Sequence, residues 1–221
     1  MKKLLLLSIV IIIALISCQP RQSPSVAPTP VGNPVIDKNF KDSAEPWCEP
    51  GSYDFGDFYC QGGELHLVNK GSGNIATENV GNYMNFILQV QMRLIGEKGA
   101  YGVVFRGSAT PAFYVFMIHP DGKFQLIIWG QSPNNTILIP WTESSAIKQG
   151  GATNLLEVIA QGTCLALFVN NKQLAGFTDN TFIEGVVGPV SLEEGHAAVS
   201  TTKVWELPAA GALLNLCTSK G

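Results

Sequence analysis

Residues 86–129, FILQVQMRLIGEKGAYGVVFRGSATPAFYVFMIHPDGKFQLIIW, decide the fold. Their apolar residues recur at every second position in four short runs, the period of a β-strand with one buried face. Between the last two runs, His119-Pro120-Asp121-Gly122-Lys123 fits a three-residue hairpin loop. Pro presets φ at the first turn position, Asp favours the second, and Gly takes the left-handed bulge position. That sets His119 opposite Lys123, Met117 opposite Gln125, Val115 opposite Ile127 and Phe113 opposite Trp129. Opposite residues share a face, so the other face carries Tyr114, Phe116, Ile118, Phe124, Leu126 and Ile128 and is uniformly apolar.

The two preceding runs divide in the same way. Phe86, Leu88, Val90 and Met92 alternate with Ile87, Gln89, Gln91 and Arg93, and Tyr101, Val103 and Phe105 alternate with Gly102, Val104 and Arg106. Pairing Leu94 with Tyr101 aligns both sets, so four consecutive antiparallel strands of one sheet are expected. The second face of that sheet would collect Gln89, Gln91, Arg93, Arg106, Met117, His119, Lys123, Gln125 and Trp129. This mixture of amide, cation and aromatic groups is the candidate ligand platform, because an aromatic plane packs on a sugar's C–H face while planar polar groups take its hydroxyls.

Outward from the centre the pattern stays β. Upstream lie Gly63 to Val68 (GELHLV) and a short strand near Asn74 to Thr77; downstream lie Ile137 to Trp141, Asn154 to Ala160, Cys164 to Val169, Gln173 to Phe177, Gly185 to Ser191 and Ala197 to Glu206. Asn170-Asn171 suits a turn with positive φ. No long stretch past residue 20 has helical periodicity, and on the order of a dozen strands indicates an all-β, two-sheet antiparallel sandwich. A composition of 46% hydrophobic and 14% charged residues with 23 Gly and 13 Pro suits such a turn-rich fold.

The N-terminus speaks to compartment. Met1-Lys2-Lys3 is a positive n-region, Leu4 to Ile16 an unbroken apolar run, and Ser17 precedes Cys18. Residues 1–17 read as a secretion signal, and Leu15-Ile16-Ser17-Cys18 resembles a bacterial lipobox, in which the cysteine is acylated and becomes the new N-terminus. Lipidation of Cys18 would hold the protein on the cell or outer membrane, facing outward. Residues 18–35 are Pro/Ser/Thr-rich and are expected to form an extended tether, leaving 36–221 as the folded domain with a short tail. Removal of Lys2 and Lys3 leaves 12 basic residues against 17 acidic ones, a charge of −5 with no basic cluster, which argues against nucleic acid as a partner.

Four cysteines then remain, an even number in an exported chain, and two disulfides are expected. Of three possible pairings, Cys48 with Cys60 closes a short loop and Cys164 with Cys217 pins the tail to a core strand. A metal site is not indicated: no CxxC occurs, His66, His119 and His196 are scattered, and Asp54 with Asp57 supplies too few oxygens for calcium. No cofactor motif, phosphate loop or Ser/His/Asp hydrolase pattern is present.

The order of these signals is familiar. YGVVFR, FYVFMI, a DG turn, GKFQL, a Trp, NLLEVIAQGTCLALFVNNKQL, Asp179 and Phe182, and GVVGPVSL together resemble the concanavalin A-like lectin/glucanase jelly rolls over about residues 36 to 206. The likeness is greatest to the bacterial extracytoplasmic branch related to laminin G-like domains and the 3-keto-disaccharide hydrolase domain. It implies a jelly-roll fold and a carbohydrate or other extracellular ligand. Glucanases of the superfamily carry Glu-x-Asp-x-x-Glu on one strand face; no strand here has it, and the adjacent Glu193-Glu194 cannot flank one glycosidic bond. A non-catalytic binding module is therefore expected. The alternatives are a hydrolase or lyase acting on a (3-keto-)glycoside with His119 as base, and a surface protein-interaction module.

Overall fold

A computed structural model describes residues 25–41, 46–71, 75–76, 81–107, 112–130, 135–209 and 216–217. The signal segment, Cys18 and the apolar Ala212-Leu213-Leu214 of the tail lie outside them. The described strands are β1 (Ile36–Lys38), β2 (Gly51–Tyr53), β3 (Gly56–Gln61), β4 (Glu64–Asn69), β5 (Ile75–Ala76), β6 (Phe86–Leu94), β7 (Ala100–Gly107) and β8 (Phe113–His119). They continue as β9 (Lys123–Trp129), β10 (Thr136–Glu143), β11 (Asn154–Gln161), β12 (Cys164–Val169), β13 (Lys172–Thr178), β14 (Val187–Leu192) and β15 (His196–Glu206). One 3-10 turn, Pro46–Cys48, precedes β2.

The strands form the antiparallel jelly-roll sandwich expected from the alternation. Sheet A runs β13-β12-β11-β6-β15-β4-β3-β2 with β1 alongside β15, and sheet B runs β10-β9-β8-β7-β14-β5. Between them Phe86, Leu88, Val90, Met92 and Leu94 of β6 pack against the core that Tyr101, Val103, Phe105, Tyr114, Phe116 and Leu126 enter from sheet B. Each such burial contributes roughly 1.5–3 kcal/mol, so this layer is the main source of stability.

The β8–β9 hairpin has the register read from its turn, from Phe113 opposite Trp129 to His119 opposite Lys123, with Gly122 at φ 91°. Asn170 and Asn171 likewise take positive φ, 50° and 65°. Both disulfides form as expected, Cys48–Cys60 and Cys164–Cys217, with Cα atoms 4.9 and 5.5 Å apart.

The placement of β6 differs from expectation. Leu94 does not face Tyr101: it lies opposite Ala197 in sheet A, while Tyr101 lies between Ile118 and Ser191 in sheet B. Residues 95–99 carry the chain from one sheet to the other. The physical reason is that alternation fixes which side of a strand faces the core, and in a sandwich the two sheets share one core. Strands with matching inward sets can therefore be layer partners rather than neighbours.

The segment before β1 differs too. Instead of standing free, it packs from Ser25 onward: Ala27 N donates to Asn171 O (3.1 Å), Gln173 N to Ser25 O (3.1 Å) and Trp205 Nε1 to Gly32 O (3.2 Å). Gln173 Nε2 also donates to Leu216 O (2.9 Å), so the N-terminal arm and the C-terminal tail meet on β13. Together they cover Ile87, Ile159, Cys164, Ala166 and Phe168 on the outer face of sheet A, where Ala27, Trp205, Leu207, Leu216 and Cys217 complete a small second core.

Candidate ligand-binding face

Crossing between sheets splits the expected platform in two. Gln89, Gln91 and Arg93 lie on the outer face of sheet A, whereas Met117, His119, Lys123, Gln125 and Trp129 lie on the outer face of sheet B. The first group is largely engaged. Gln89 Nε2 donates to Glu157, and Arg93 grips Glu64 with two bonds of 3.1 and 2.7 Å, which holds the Glu64 carboxyl below its usual range. Gln91 is exposed.

Arg106 is a further departure. A register shift between Phe105 and Gly107 interrupts the β7–β8 pairing, and Arg106 sits there at φ 43°. Such a bulge re-aims its side chain, and the residue is wholly buried. Its guanidinium donates to the carbonyls of Met84 (2.5 and 3.2 Å) and Phe182 (3.5 Å), with no carboxylate partner among the described residues. Burial pulls its pKa down. Arg106 ties the 84 and 182 segments together and offers nothing to a ligand on the sheet. Beside it Tyr114 OH donates to Asp179 and accepts from Phe182 N; burial and then Asp179 push the phenol up to about 12.

Met117 also turns out to be buried. With Ala100, Val104, Val115, Ile127, Val190 and Leu192 it forms an apolar floor on the outer side of sheet B, against which Phe113 and Trp129 pack. The polar groups stand at one end of this floor, at the β8–β9 turn. His119 Nδ1 lies 2.9 Å from Asp121 Oδ1, and Lys123 Nζ 2.7 Å from Asp121 Oδ2. The hydrogen bond from Lys123, joined by His119, holds the Asp121 carboxyl below its ordinary range against a desolvation that would raise it. Nδ1 is the ring nitrogen of His119 that faces Asp121, both its carboxylate and, at 3.4 Å, its backbone N–H.

Trp141 completes this corner, and no sequence signal marked it. Register shifts in β10 between Ile137 and Ile139 and between Ile139 and Thr142 turn Ile139 to the core, while Ile137 pairs with Ile127 and Glu143 with Lys123 on the outer side, where Trp141 lies two residues before Glu143. Its ring meets His119 edge-on at 5.9 Å and is 36% exposed. Trp141, His119, Lys123 and Gln125 thus give an accessible aromatic plane with cationic and amide neighbours.

Two other side-chain groups come together from distant positions. His66 Nδ1 is 3.0 Å from His196 Nε2, His66 Nε2 donates to Gln61 O (3.2 Å), and Tyr59 stacks on His66 at 4.9 Å. Among the described residues, no cluster of three or more His, Cys, Asp or Glu side chains could hold a metal ion.

A family model described as the 3-keto-alpha-glucoside-1,2-lyase-like domain matches residues 37–205, from β1 to the end of β15. The chain belongs to this family. As a 3-keto-alpha-glucoside-1,2-lyase-like domain it shares its fold with solved glucanases. A laminarinase catalytic domain from Thermotoga petrophila RKU-1 superposes with a TM-score of 0.56 at 10% identity, covering 79% of this chain and 97% of that one. The laminarinase of Flavobacterium sp. UMI-01 gives 0.55 at 11% identity, covering 79% and 100%. A Bacteroides ovatus mixed linkage glucan GH16 structure in complex with product gives 0.56 at 9% identity, covering 77% and 99%. At such identities the likeness is one of fold. No curated protein matches the sequence.

Proposed function

We propose that the protein is an extracytoplasmic domain, anchored through acylated Cys18, that binds carbohydrate without transforming it at the Trp141–His119 corner of sheet B. The observation that carries this reading is the exposed Trp141 ring standing beside His119, Lys123 and Gln125 on a sheet face, while the face of sheet A over β11 and β12 is taken up by the chain's own arm and tail. A sugar ring laid on Trp141 would find a cation and an amide at its edge. The Glu-x-Asp-x-x-Glu strand pattern of the superfamily's glucanases is missing from the sequence, and Asp121 is ion-paired with Lys123. Calorimetric titration with β-glucan oligosaccharides and other glycans tests the site. Trp141→Ala and Gln125→Ala are expected to weaken binding by about tenfold, the value of a lost stacking contact. Unaltered affinity in both removes this corner from the reading.

A second reading has its own support in the family match and in the His119–Asp121 pair. In a 1,2-elimination on a 3-ketoglucoside, the ketone acidifies the C2 proton. A base takes that proton, the C1–C2 double bond forms, and the C1–O bond breaks with its electrons leaving on the aglycone oxygen. His119, whose Nδ1 lies 2.9 Å from Asp121, is the candidate base in this reading. Turnover of 3-ketoglucosides by the purified protein, abolished in His119→Ala while that variant still binds glycan, would replace the binding-only assignment.

A further inference from the structure

The sandwich has two ends. The β8–β9 turn, the 144–153 connection and the β12–β13 turn lie together at one of them, joined by Ser144 N to Gly122 O (3.0 Å), Gly150 N to Pro120 O (2.9 Å) and Asn170 Nδ2 to Ala146 O (2.8 Å). The β2–β3 turn belongs to this end as well. Lys70 N donates to Phe55 O (3.0 Å) and Asn69 N to Gly195 O (2.9 Å), and Gly195 closes the turn after Leu192, which pairs with Ala100. The β11–β12 turn and the 179–185 segment form the opposite end, linked by Asp179 N to Thr163 O (2.9 Å).

Two independent features mark the first end. The N-terminal arm seats there, at the Asn171–Gln173 edge of β13. Only six residues lie between Cys18 and Ser25, seven steps that reach about 25 Å at full extension. At the far edge of the same sheet, the β2–β3 turn presents Tyr53 and Phe55, 48% and 40% exposed, with rings stacked at 5.0 Å and 5°. A pair of rings left in water at a hairpin tip is the composition that settles at a lipid–water interface. Val26, 74% exposed, adds an apolar side chain where the arm leaves the domain.

We infer that the domain stands on the lipid bilayer by this end, held at the β13 edge by the acylated arm and at the β2 edge by the Tyr53–Phe55 tip. The inference rests on the anchorage of Cys18 proposed above. It places the His119–Trp141 corner, on the same end, beside the membrane, so its ligand would be a glycan presented close to the lipid surface. Met84, Ile137 and Ile183 are exposed at or near the opposite end, and the arm would have to double back along the flank to bring them down.

The test uses the full acylated chain in phosphatidylethanolamine/phosphatidylglycerol vesicles carrying a spin-labelled lipid. With Cys18 acylated and the other four cysteines in disulfides, Asp54→Cys or Asn180→Cys supplies one thiol for a bimane label, at the two ends respectively. The label at 54 is expected to be quenched several-fold more than that at 180. Adding Tyr53→Ser and Phe55→Ser should reduce its quenching to the level at 180, with the thermal transition retained. Equal quenching at both positions, or stronger quenching at 180, on protein whose mass includes the acyl chains overturns the orientation alone. A mass without acyl chains overturns the anchorage, and the orientation with it.

Discussion

Glu157 is a residue whose charge state the fold sets against its own stability. It is 2% exposed on the outer side of β11, receives a hydrogen bond from Gln89, and has one oxygen without a partner among the described residues. Burial, opposed only by Gln89, raises its pKa from 4.5 to about 7. The folded state therefore binds a proton that the unfolded chain releases, and stability declines as pH rises from about 4.5 to about 7, then levels off. The loss is on the order of 3 kcal/mol. Glu157→Gln should raise the urea midpoint at pH 8 and leave it nearly unchanged at pH 4; a parent-like pH slope in the variant would refute this assignment. Residues of this kind mark where sequence reading stops. Arg106 was misassigned because of a bulge, and an alternating pattern carries no mark of the extra residue that turns a side chain over; in β10 it is Ile139, between Ile137 and Trp141, that two such shifts turn inward, which hides the outer set from the sequence.

At the scale of elements, the seam between β4 and β15 is tuned by the His66–His196 contact. Desolvation first, then the nearby His66 and Arg93 charges, lowers the His196 pKa, while Glu64 faces the same cluster and is occupied by Arg93. A histidine whose folded pKa lies below its unfolded value binds fewer protons in the native state, so stability falls as pH drops below about 6.5. His196→Gln should flatten that fall, read as urea midpoints at pH 7.5, 6 and 5. Glu157 acts with the opposite sign across part of this window, so the comparison is sharpest in a Glu157→Gln background; a slope that survives there would refute the pair's role. The pair itself could not be read from the sequence, because 130 residues separate its members and only the β15–β4 register joins them. By contrast, the β8–β9 register was legible because a three-residue turn fixes it locally. The neighbours of β6 were not, since a five-residue link permits either a hairpin or a step across the core.

Across the whole molecule, the termini do work that composition concealed. A Pro/Ser-rich segment has too few bulky apolar side chains to build a core, and that argument holds for the arm alone. It does not apply once the outer side of sheet A offers Ile159 and Phe168 to cover and the tail supplies Leu216 and Cys217 beside them. The cysteine pattern held more information than the linker pattern, because four cysteines allow only three pairings. The two bridges should contribute unequally. Cys48–Cys60 spans 12 residues and Cys164–Cys217 spans 53, which in the chain-entropy model corresponds to about 3 and about 4 kcal/mol. Removing the second bridge also frees the tail from β12 and opens the small outer core. The Cys164→Ser/Cys217→Ser variant is therefore expected to lose more stability in urea than Cys48→Ser/Cys60→Ser, and to become open to proteolysis after residue 207 while native. Glycan affinity at the Trp141 corner should be unchanged, since that corner lies on the other sheet. A larger loss from the 48–60 pair, or a tail as protected as in the parent, would show that the arm and not the disulfide holds the tail in place.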